Sequence, residues 1–370
     1  MWIRGISRLV ASLGIAAAMF GSAAAQNTVK IGMVMPLTGT LASAGKHIEL
    51  IVKDDGTSFD LGKRLIQEAV ANHEFDVLAG GTTGDLMASA PIITDGKMPT
   101  VIMLSSTSAV IDKSPYFVRT SCTLAQSSAI AAEWAAKNGI AKVVTIVSDF
   151  SPGHEAEARF KDRYLASGGE VVESIRVPLQ NPDFAPFLQR ARDYSPQAIF
   201  LFIPSVQAGT FAKQFVERGL DKAGIRLIGP GDITDDELLP ATGDAMLGTV
   251  TAHFYSAAHP SPMNMAFVDA YRKLTGNRAN FMAVSGYDGM HLIYAALRKT
   301  NGSVAGDALI SAMRGMSWES PRGPMLIDPA TAGDVVHNIY IRKVERANGE
   351  INNVEFATFE AVKDVRTSAK

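Results

Sequence analysis

The chain alternates short apolar runs with amphipathic segments over most of its length. The runs at residues 75–79 and 198–203 have the length of buried strands, and the segments at 61–72 and 125–137 place apolar residues at helical spacing. Strands that alternate with such helices form a parallel sheet with helices packed on its faces. The pattern therefore predicts an α/β protein.

The alternation continues almost to the end of the chain, where three strands follow one another, joined by turns such as Asn348-Gly349. So many units exceed one ordinary sheet, and we predict two Rossmann-like lobes with a ligand site between them. The predicted strands are residues 29–35, 48–53, 75–79, 100–104, 116–119, 143–147, 171–177, 198–203, 226–228, 247–254, 324–327, 336–344 and 354–359; the predicted helices are 61–72, 85–95, 125–137, 154–166, 183–194, 207–218, 262–274, 282–297 and 304–313.

The connection between the first two predicted strands is unusually short. A crossover between parallel strands needs a dozen or more residues and normally contains a helix. Only residues 36–47 are available here, and Gly39 and Gly45 interrupt them. Either the first two strands are arranged in an unusual way, or a helix is missing.

Two clusters of small polar residues follow neighbouring strands. Gly80-Gly81-Thr82-Thr83-Gly84 follows the strand at 75–79, and Ser105-Ser106-Thr107-Ser108 follows the strand at 100–104. Ligands of parallel sheets bind beyond the carboxyl ends of the strands. Hydroxyls and helix-start N–H groups there would hold a small polar or carboxylate-bearing molecule. Ordinary turns are also rich in Gly, Ser and Thr, and that is the alternative.

Composition restricts the compartment and the partners. Residues 1–25 have a basic start, an apolar centre and a small-residue end at Ala25, so we expect a secretory signal peptide, an exported mature chain starting at Gln26, and no later membrane span. The 35 basic and 37 acidic residues argue against a nucleic-acid partner. Cys122 is the only cysteine, which excludes an internal disulfide, and we expect it to be small, buried and inert.

Signatures of enzymes and cofactor sites are absent from the sequence. There is no Walker A loop, no G-x-S-x-G elbow, no H-E-x-x-H and no dinucleotide fingerprint, so we expect neither a cofactor nor a metal nor a catalytic residue. Asp232 follows the predicted strand at 226–228 within an acidic cluster. It is either a helix-capping, solvated acid or a group that meets a ligand's ammonium.

Several stretches, in order, resemble the periplasmic substrate-binding proteins of branched-chain amino-acid ABC transporters, the type I leucine-binding protein family. They include VKIGMVMPLTG, MPTVIMLSSTSAVI, KVVTIVSDFSPG and GPGDITDD. The resemblance implies two hinged lobes of parallel sheet flanked by helices. The first lobe would comprise residues 27–121 and 252–325, and the second residues 122–251 and 326–370.

The resemblance also implies a receptor in the periplasm that binds a branched-chain amino acid between its lobes. Partners would be ABC permease subunits in the membrane, an ATPase on a separate chain, and no nucleic acid, with the receptor itself a monomer. The family's ligand-binding positions fall on Thr82, Thr83, Ser105, Ser106, Thr107, Phe150 and Asp232.

Two departures from the family matter. By the resemblance, the acid for the ligand ammonium lies near Gly231-Asp232. If a glutamate belongs at position 231, this chain has glycine there, which leaves only Asp232 and admits a ligand without an amine, such as an aromatic acid or an amide. The helix expected after PLTGTLASAGK is missing, so the first lobe would expose an apolar face, and we hypothesise that this lobe is destabilised. A non-transporting sensor and an exported hydrolase are the remaining alternatives.

Overall fold

A computed structural model of the protein describes residues 29–34, 48–56, 58–347 and 349–364, with positions 29–34 described for their backbone only. The predicted signal peptide at residues 1–25 and the short connection at 36–47 lie outside the described residues. The described chain is an α/β fold built on two sheets. Within it, no helix has both the length and the apolar character needed to cross a membrane.

The first sheet is fully parallel, and its five strands run in the order β2-β1-β3-β4-β5. This is a common order for doubly wound sheets. An unusual arrangement of the first two strands, one of the two alternatives, is therefore wrong. The strands are β1 (Val29–Val34), β2 (Ile48–Lys53), β3 (Val77–Gly80), β4 (Thr100–Ile102) and β5 (Phe117–Arg119).

Four helices pack with this sheet around one apolar core. The core joins residues of β3, β4 and β5 to Leu292, Ile293 and Leu309 from much later in the chain. The chain therefore returns to the first sheet after building the second. The helices are α1 (Phe59–Ala71), α2 (Thr83–Asp95), α8 (Phe281–Lys299) and α9 (Gly306–Met313).

The edge strand β2 is poorly covered. Val52 is 48% exposed, and Ile48, Leu50 and Ile51 are only partly buried. This agrees with an apolar face left uncovered in the first lobe, while the effect on stability stays a prediction.

The second sheet has nine strands and repeats the order of the first. Strands β7-β6-β8-β9-β10 are parallel, and β13, paired antiparallel to β10, extends the sheet to β12, β11 and β14. The three tail strands were predicted, whereas β11 was not. The strands are β6 (Lys142–Ser148), β7 (Glu170–Val177), β8 (Ala198–Phe202), β9 (Arg226–Pro230), β10 (Val250–His253), β11 (Ser317–Ser320), β12 (Gly323–Asp328), β13 (Asp334–Ala347) and β14 (Glu350–Val362).

Two apolar clusters lie on this second sheet, one built around Phe160 and Phe200 and the other around Phe211 and Leu201. The helices that cover the sheet begin where the sequence predicts, within a few residues. They are α3 (Leu124–Lys137), α4 (Ser151–Ala166), α5 (Ala185–Asp193), α6 (Ser205–Glu217) and α7 (Pro262–Thr275).

A buried arginine in the turn between β11 and β12 contacts two of the places where the chain passes between the two sheets. Arg322, between β11 and β12, donates to the Thr120 carbonyl after β5 and forms an ion pair with Asp288 of α8 (Nε to Oδ2, 2.6 Å). Its guanidinium also lies 4.5 Å from the ring centroid of Phe254, just after β10. Arg322 and Asp288 are both fully buried.

Candidate ligand site

The first polar cluster forms a tight turn between β3 and α2. Gly80 and Gly81 have φ angles of 97° and 78°, a region that favours glycine, and a Cβ on Gly81 would lie 2.7 Å from the Leu86 side chain. Thr82 then caps α2, since its backbone N and its Oγ1 both donate to Asp85 Oδ2 at 3.2 and 2.6 Å. Burial raises the pKa of Asp85, against the effect of these two bonds.

The two polar clusters meet, as expected for neighbouring parallel strands. Thr83 Oγ1 lies 2.8 Å from Ser105 Oγ and donates to Thr107 Oγ1 at 3.2 Å. The hydroxyls of these three predicted residues therefore face one another. Their hydrogen bonds link the residues on either side of Ser106 to the start of α2.

Arg119, at the end of β5, fixes that loop from below. It donates to the carbonyls of Ser105 (3.3 Å) and Thr107 (2.8 Å), and it pairs with Asp334 at 3.2 Å. Ser121 Oγ donates to the Ser105 carbonyl as well, at 2.7 Å. The loop geometry is thus set by buried donors.

A cavity lies between the two sheets, next to this loop. Its volume is about 40 Å³, room for about three waters at the roughly 10–15 Å³ that each needs. Residues from both sheets and from the connections between them surround it: Met103, Leu104, Ser106, Ser121, Cys122, Thr123, Leu124, Ser127, Asp232, His253, Phe254, Phe281 and Ser285.

One wall of the cavity is aromatic. The ring centroids of His253 and Phe254 are 4.5 Å apart, and the Phe281 ring stands edge-on to His253 at 5.2 Å. Another wall is rich in hydroxyls, supplied by Ser106, Ser121, Thr123, Ser127 and Ser285. An apolar ring with an attached polar group matches this division of the walls.

The ionisable groups of the cavity are strongly affected by burial. Burial raises the pKa of Asp232 to about 6, although its own backbone N–H and Arg342 act in the opposite direction. Burial and the Arg342 charge hold the pKa of His253 well below its usual range, so the imidazole is neutral. Burial also raises the pKa of the Cys122 thiol to about 12.

Of the seven predicted site residues, Ser106 and Asp232 line the cavity. Thr83, Ser105 and Thr107 are hydrogen-bonded next to Ser106, and Thr82 caps α2. Phe150 is apart from them at the start of α4, where its ring stacks on Phe202 at 6.1 Å and joins the second core. The structure therefore places two of the seven residues on the cavity wall and three next to Ser106, and it separates Thr82 and Phe150 from the cavity.

Other cavity residues were not singled out in the sequence. Ser121 and Thr123 belong to a third polar cluster, Thr120-Ser121-Cys122-Thr123, which follows β5 just as the other clusters follow β3 and β4. The strand-end rule could have found them. His253 and Phe254 gave no such signal because they end an apolar run that reads as core.

Comparisons with known proteins identify the family of the chain. The chain matches the periplasmic binding protein family over residues 39–350. The chain is 40% identical over 365 residues to "Leu/Ile/Val-binding protein homolog 6" of Brucella suis, covering 92% of this chain and 93% of that protein. The chain belongs to the periplasmic binding protein family.

Two solved structures are similar over nearly their whole length. A solute-binding protein of an ABC transporter from Rhodopseudomonas palustris BisB5, in complex with 3,4-dihydroxybenzoic acid, is 55% identical, covers 91% of this chain and 98% of its own, and has a TM-score of 0.86. A second one from R. palustris, in complex with 4-hydroxybenzoate, is 33% identical with the same coverage and TM-score. The fold is that of a type I periplasmic binding protein.

Proposed function

We propose that this protein is the periplasmic solute-binding component of an ABC transporter, and that it binds a small aromatic carboxylate in the cavity between its lobes. The lobes would be residues 27–121 with 252–325, and 122–251 with 326–370. Because residues of both sheets line the cavity, a ligand that contacts them all favours the closed arrangement. The closed form would dock on permease subunits, with ATP hydrolysis on a separate chain.

The observation that carries the choice of ligand is the packing at Gly231. A Cβ at this position would lie 2.3 Å from Cγ of His253 and 2.4 Å from a terminal nitrogen of Arg342. The space where an ammonium-binding glutamate side chain would start is therefore occupied by an imidazole ring and a guanidinium. A ligand without an amine does not need that carboxylate.

The cavity walls support the same class of ligand. The Phe254 and Phe281 rings offer contact to an aromatic ring, and neutral hydroxyls such as that of Ser285 offer donors to a carboxylate. The Ser121 and Thr123 hydroxyls already donate to the Ser105 carbonyl and to Gln126. Ser285 Oγ is buried, lines the cavity, and has no hydrogen-bond partner among the described residues. A buried hydroxyl in that situation gains a bond when a polar ligand enters.

A branched-chain amino acid is the second candidate, favoured by the name of the Brucella relative. Its ammonium would have to meet Asp232, which is the only carboxylate among the described residues that line the cavity. A sensor that binds the same ligand without transporting it would share this site and differ only in its partner.

A hydrolase is not proposed, although Cys122, His253 and Asp232 line the same cavity. A nucleophilic cysteine needs a lowered pKa, and burial moves the pKa of Cys122 the other way, to about 12. The thiol lies 3.3 Å from Ser127 Oγ and donates to the Thr123 carbonyl at 3.2 Å. These contacts hold Cys122 as a structural residue.

The test is calorimetric titration of the refolded, ligand-stripped mature protein with benzoate, 4-hydroxybenzoate, 3,4-dihydroxybenzoate, leucine, valine and glutamate. Binding of at least one aromatic acid, with no binding of the amino acids, is expected. Binding of leucine or valine alone would replace the aromatic acid with the second candidate. Binding of none by a folded protein would refute both.

A pair of matched variants locates the binding. Ser285→Ala should weaken the aromatic acid by about 2- to 12-fold, the value of one neutral hydrogen bond. Ser128→Ala is the control, because Ser128 Oγ is equally buried and without a partner among the described residues, yet Ser128 does not line the cavity. Equal effects of the two changes would argue against this cavity as the site.

A further inference from the structure

Asp232 stands at the cavity with part of its carboxyl group accessible. It begins the short 3₁₀ helix Gly231–Thr234 that follows β9, and 24% of its side-chain surface is exposed. Asp235 and Asp236 of the same segment are more deeply buried and bonded elsewhere: Asp235 Oδ1 accepts from the backbone N–H groups of Glu237 and Leu238, and Asp236 accepts from Asn353. Glu237 accepts from Asn277 and Asn280 and does not line this cavity. Asp232 is thus the acid of this segment that a ligand in the cavity can reach.

His253 faces Asp232 across a gap too wide for a hydrogen bond. The distance from His253 Nε2 to Asp232 Oδ2 is 3.9 Å, whereas a hydrogen bond between nitrogen and oxygen needs about 2.7–3.2 Å. Phe254 and Phe281 pack around the imidazole and hold it in place. A group inserted at the mouth of this gap could bond to both side chains.

A hydroxyl group has the required chemistry. It carries one donor and two acceptor lone pairs, so it can donate to a carboxylate and accept from an imidazole N–H. An unsubstituted ring edge offers neither function, and a methyl ether cannot donate. Asp232 therefore favours a ligand that brings a hydroxyl to this end of the cavity.

The charges of the cavity also favour a ligand that brings a hydroxyl to Asp232. A carboxylate ligand brings a negative charge into a space that already holds Asp232, and none of the described lining residues is Lys or Arg. Repulsion is least when the ligand's carboxylate meets the hydroxyl wall and its other polar group donates to Asp232. Without that donor, ligand entry would desolvate the Asp232 carboxylate and leave it unpaired.

We propose that Asp232 and His253 together recognise a phenolic hydroxyl, so that this receptor takes hydroxylated benzoates and discriminates against benzoate. The inference rests on the proposed function and narrows its ligand class. A hydrogen bond to a charged group changes affinity by about 10- to 150-fold. Benzoate and 4-methoxybenzoate should therefore bind that much more weakly than 4-hydroxybenzoate or 3,4-dihydroxybenzoate at pH 7.5.

The pH dependence provides a second readout. Burial raises the pKa of Asp232 to about 6, so at pH 5.5 most of the carboxyl is protonated before the ligand enters. Benzoate then no longer leaves a charge unpaired. The ratio of hydroxybenzoate to benzoate affinity should narrow between pH 7.5 and pH 5.5; a ratio that stays constant or widens would contradict the role of Asp232.

The decisive variant is Asp232→Ala, measured by calorimetry beside Asp149→Ala. Asp149 is an exposed acid paired with His154 outside the cavity, so its loss should leave every affinity unchanged. Asp232→Ala should weaken 4-hydroxybenzoate by about 10- to 150-fold and leave benzoate equal or tighter. A variant that weakens both ligands equally, or neither, overturns the proposal.

The outcomes separate the two levels of inference. If the wild-type protein binds no aromatic acid, the proposed function fails. If it binds benzoate and 4-hydroxybenzoate within threefold of each other, the proposed function stands and hydroxyl recognition is refuted. Should Asp232→Ala fail to fold, the methyl ether and the pH series on the wild-type protein still decide.

Discussion

Arg322 offers the sharpest test of how the fold supports the site. Its ion pair with Asp288 is fully buried, and the same guanidinium holds the Thr120 carbonyl and stacks on Phe254, a residue of the cavity wall. We predict that Arg322→Met, which keeps the length of the apolar stem, strongly destabilises the protein. The reason is that a buried carboxylate loses its cation.

The size of the effect can be bounded. Breaking a buried pair by removing one partner costs about 3–5 kcal/mol. Trp318 Nε1 still donates to Asp288 Oδ1 at 3.1 Å, so the loss should lie in the lower part of that range, about 3–4 kcal/mol.

Urea unfolding at pH 7 measures this cost with two probes. Circular dichroism reports the whole fold. Tryptophan fluorescence, measured in a Trp134→Phe background so that Trp318 supplies the signal, reports the neighbourhood of Asp288. Coincident transitions would establish that a single free energy of unfolding describes the change. Arg346→Met is the matched control, because its pair with Asp244 is more than half exposed and should contribute less than about 1 kcal/mol.

The double variant Arg322→Met/Asp288→Asn completes the cycle. Removing the charge from Asp288 should recover at least about 2 kcal/mol of the loss, since the stranded carboxylate is gone. If the two changes simply add, or if Arg322→Met alone costs less than about 1 kcal/mol, the pair does not carry the charge balance assigned to it.

Three further predictions follow from the same structure. Gly231→Ala should cost about 1–3 kcal/mol of stability and weaken aromatic-acid binding, because its Cβ meets His253 and Arg342. Gly286→Ala in α8, with nothing within 4 Å of its Cβ, should be neutral or stabilising. Urea midpoints and calorimetry compare the two variants, and equal effects would contradict the packing argument. Burial raises the pKa of Cys122 to about 12, so at pH 8 this thiol should react with iodoacetamide on the order of a thousandfold more slowly than an exposed cysteine. Its reaction rate should rise about tenfold for each unit of increasing pH and should fall when ligand is bound. A rate that does not change with pH would be inconsistent with the thiol's burial. Because strand β2 is partly exposed, we predict that the first lobe melts in a separate transition at a lower temperature than the second. Val52→Ala, at a position 48% exposed, should change stability by less than about 0.5 kcal/mol. One cooperative transition at roughly 45–65 °C would count against a destabilised lobe.

Most of the fold was predictable because its strands and helices carry their own periodicity. Both sheets follow from apolar runs that alternate with helices, and the tail strands follow from their turn residues. Strand β11 was not predicted, because Ser317-Trp318-Glu319-Ser320 contains a single apolar residue. That strand exists through its antiparallel pairing with β12, a long-range partner that no local pattern of residues 317–320 reveals.

The site was predictable only in part, for a related reason. Ser106 and Asp232 follow strands, and the rule that ligands bind at strand ends places both at the cavity. The same rule could not tell that Thr83 and Ser105 turn their hydroxyls towards each other. Nor could it find His253, since an imidazole at the end of an apolar run becomes a wall of the cavity only through the packing of Gly231 and Phe281 against it.

If the proposed ligand class is right, Gly231 implies more than the loss of one acid. Replacing glycine with glutamate should not create amino-acid binding, because His253 and Arg342 already fill the space. Arg342 is itself held by Thr234, Thr251 and the Gly231 carbonyl. Several residues from separate elements thus fix the shape of the cavity together, and a change of ligand class would require them to change together.

Three fully buried arginines lie in the frame around the cavity. Arg119 pairs with Asp334, Arg322 with Asp288, and Arg342 with Asp236. Each arginine also binds backbone carbonyls of residues in or beside the cavity wall: Ser105 and Thr107, Thr120, and Gly231 with Tyr255. Since their charges are matched within the frame, these cations orient the loops and leave neutral hydroxyls and one acid to face the ligand. A receptor arranged in this way can hold an anion without a strong ion pair, and the ligand's second polar group then decides which anion is kept.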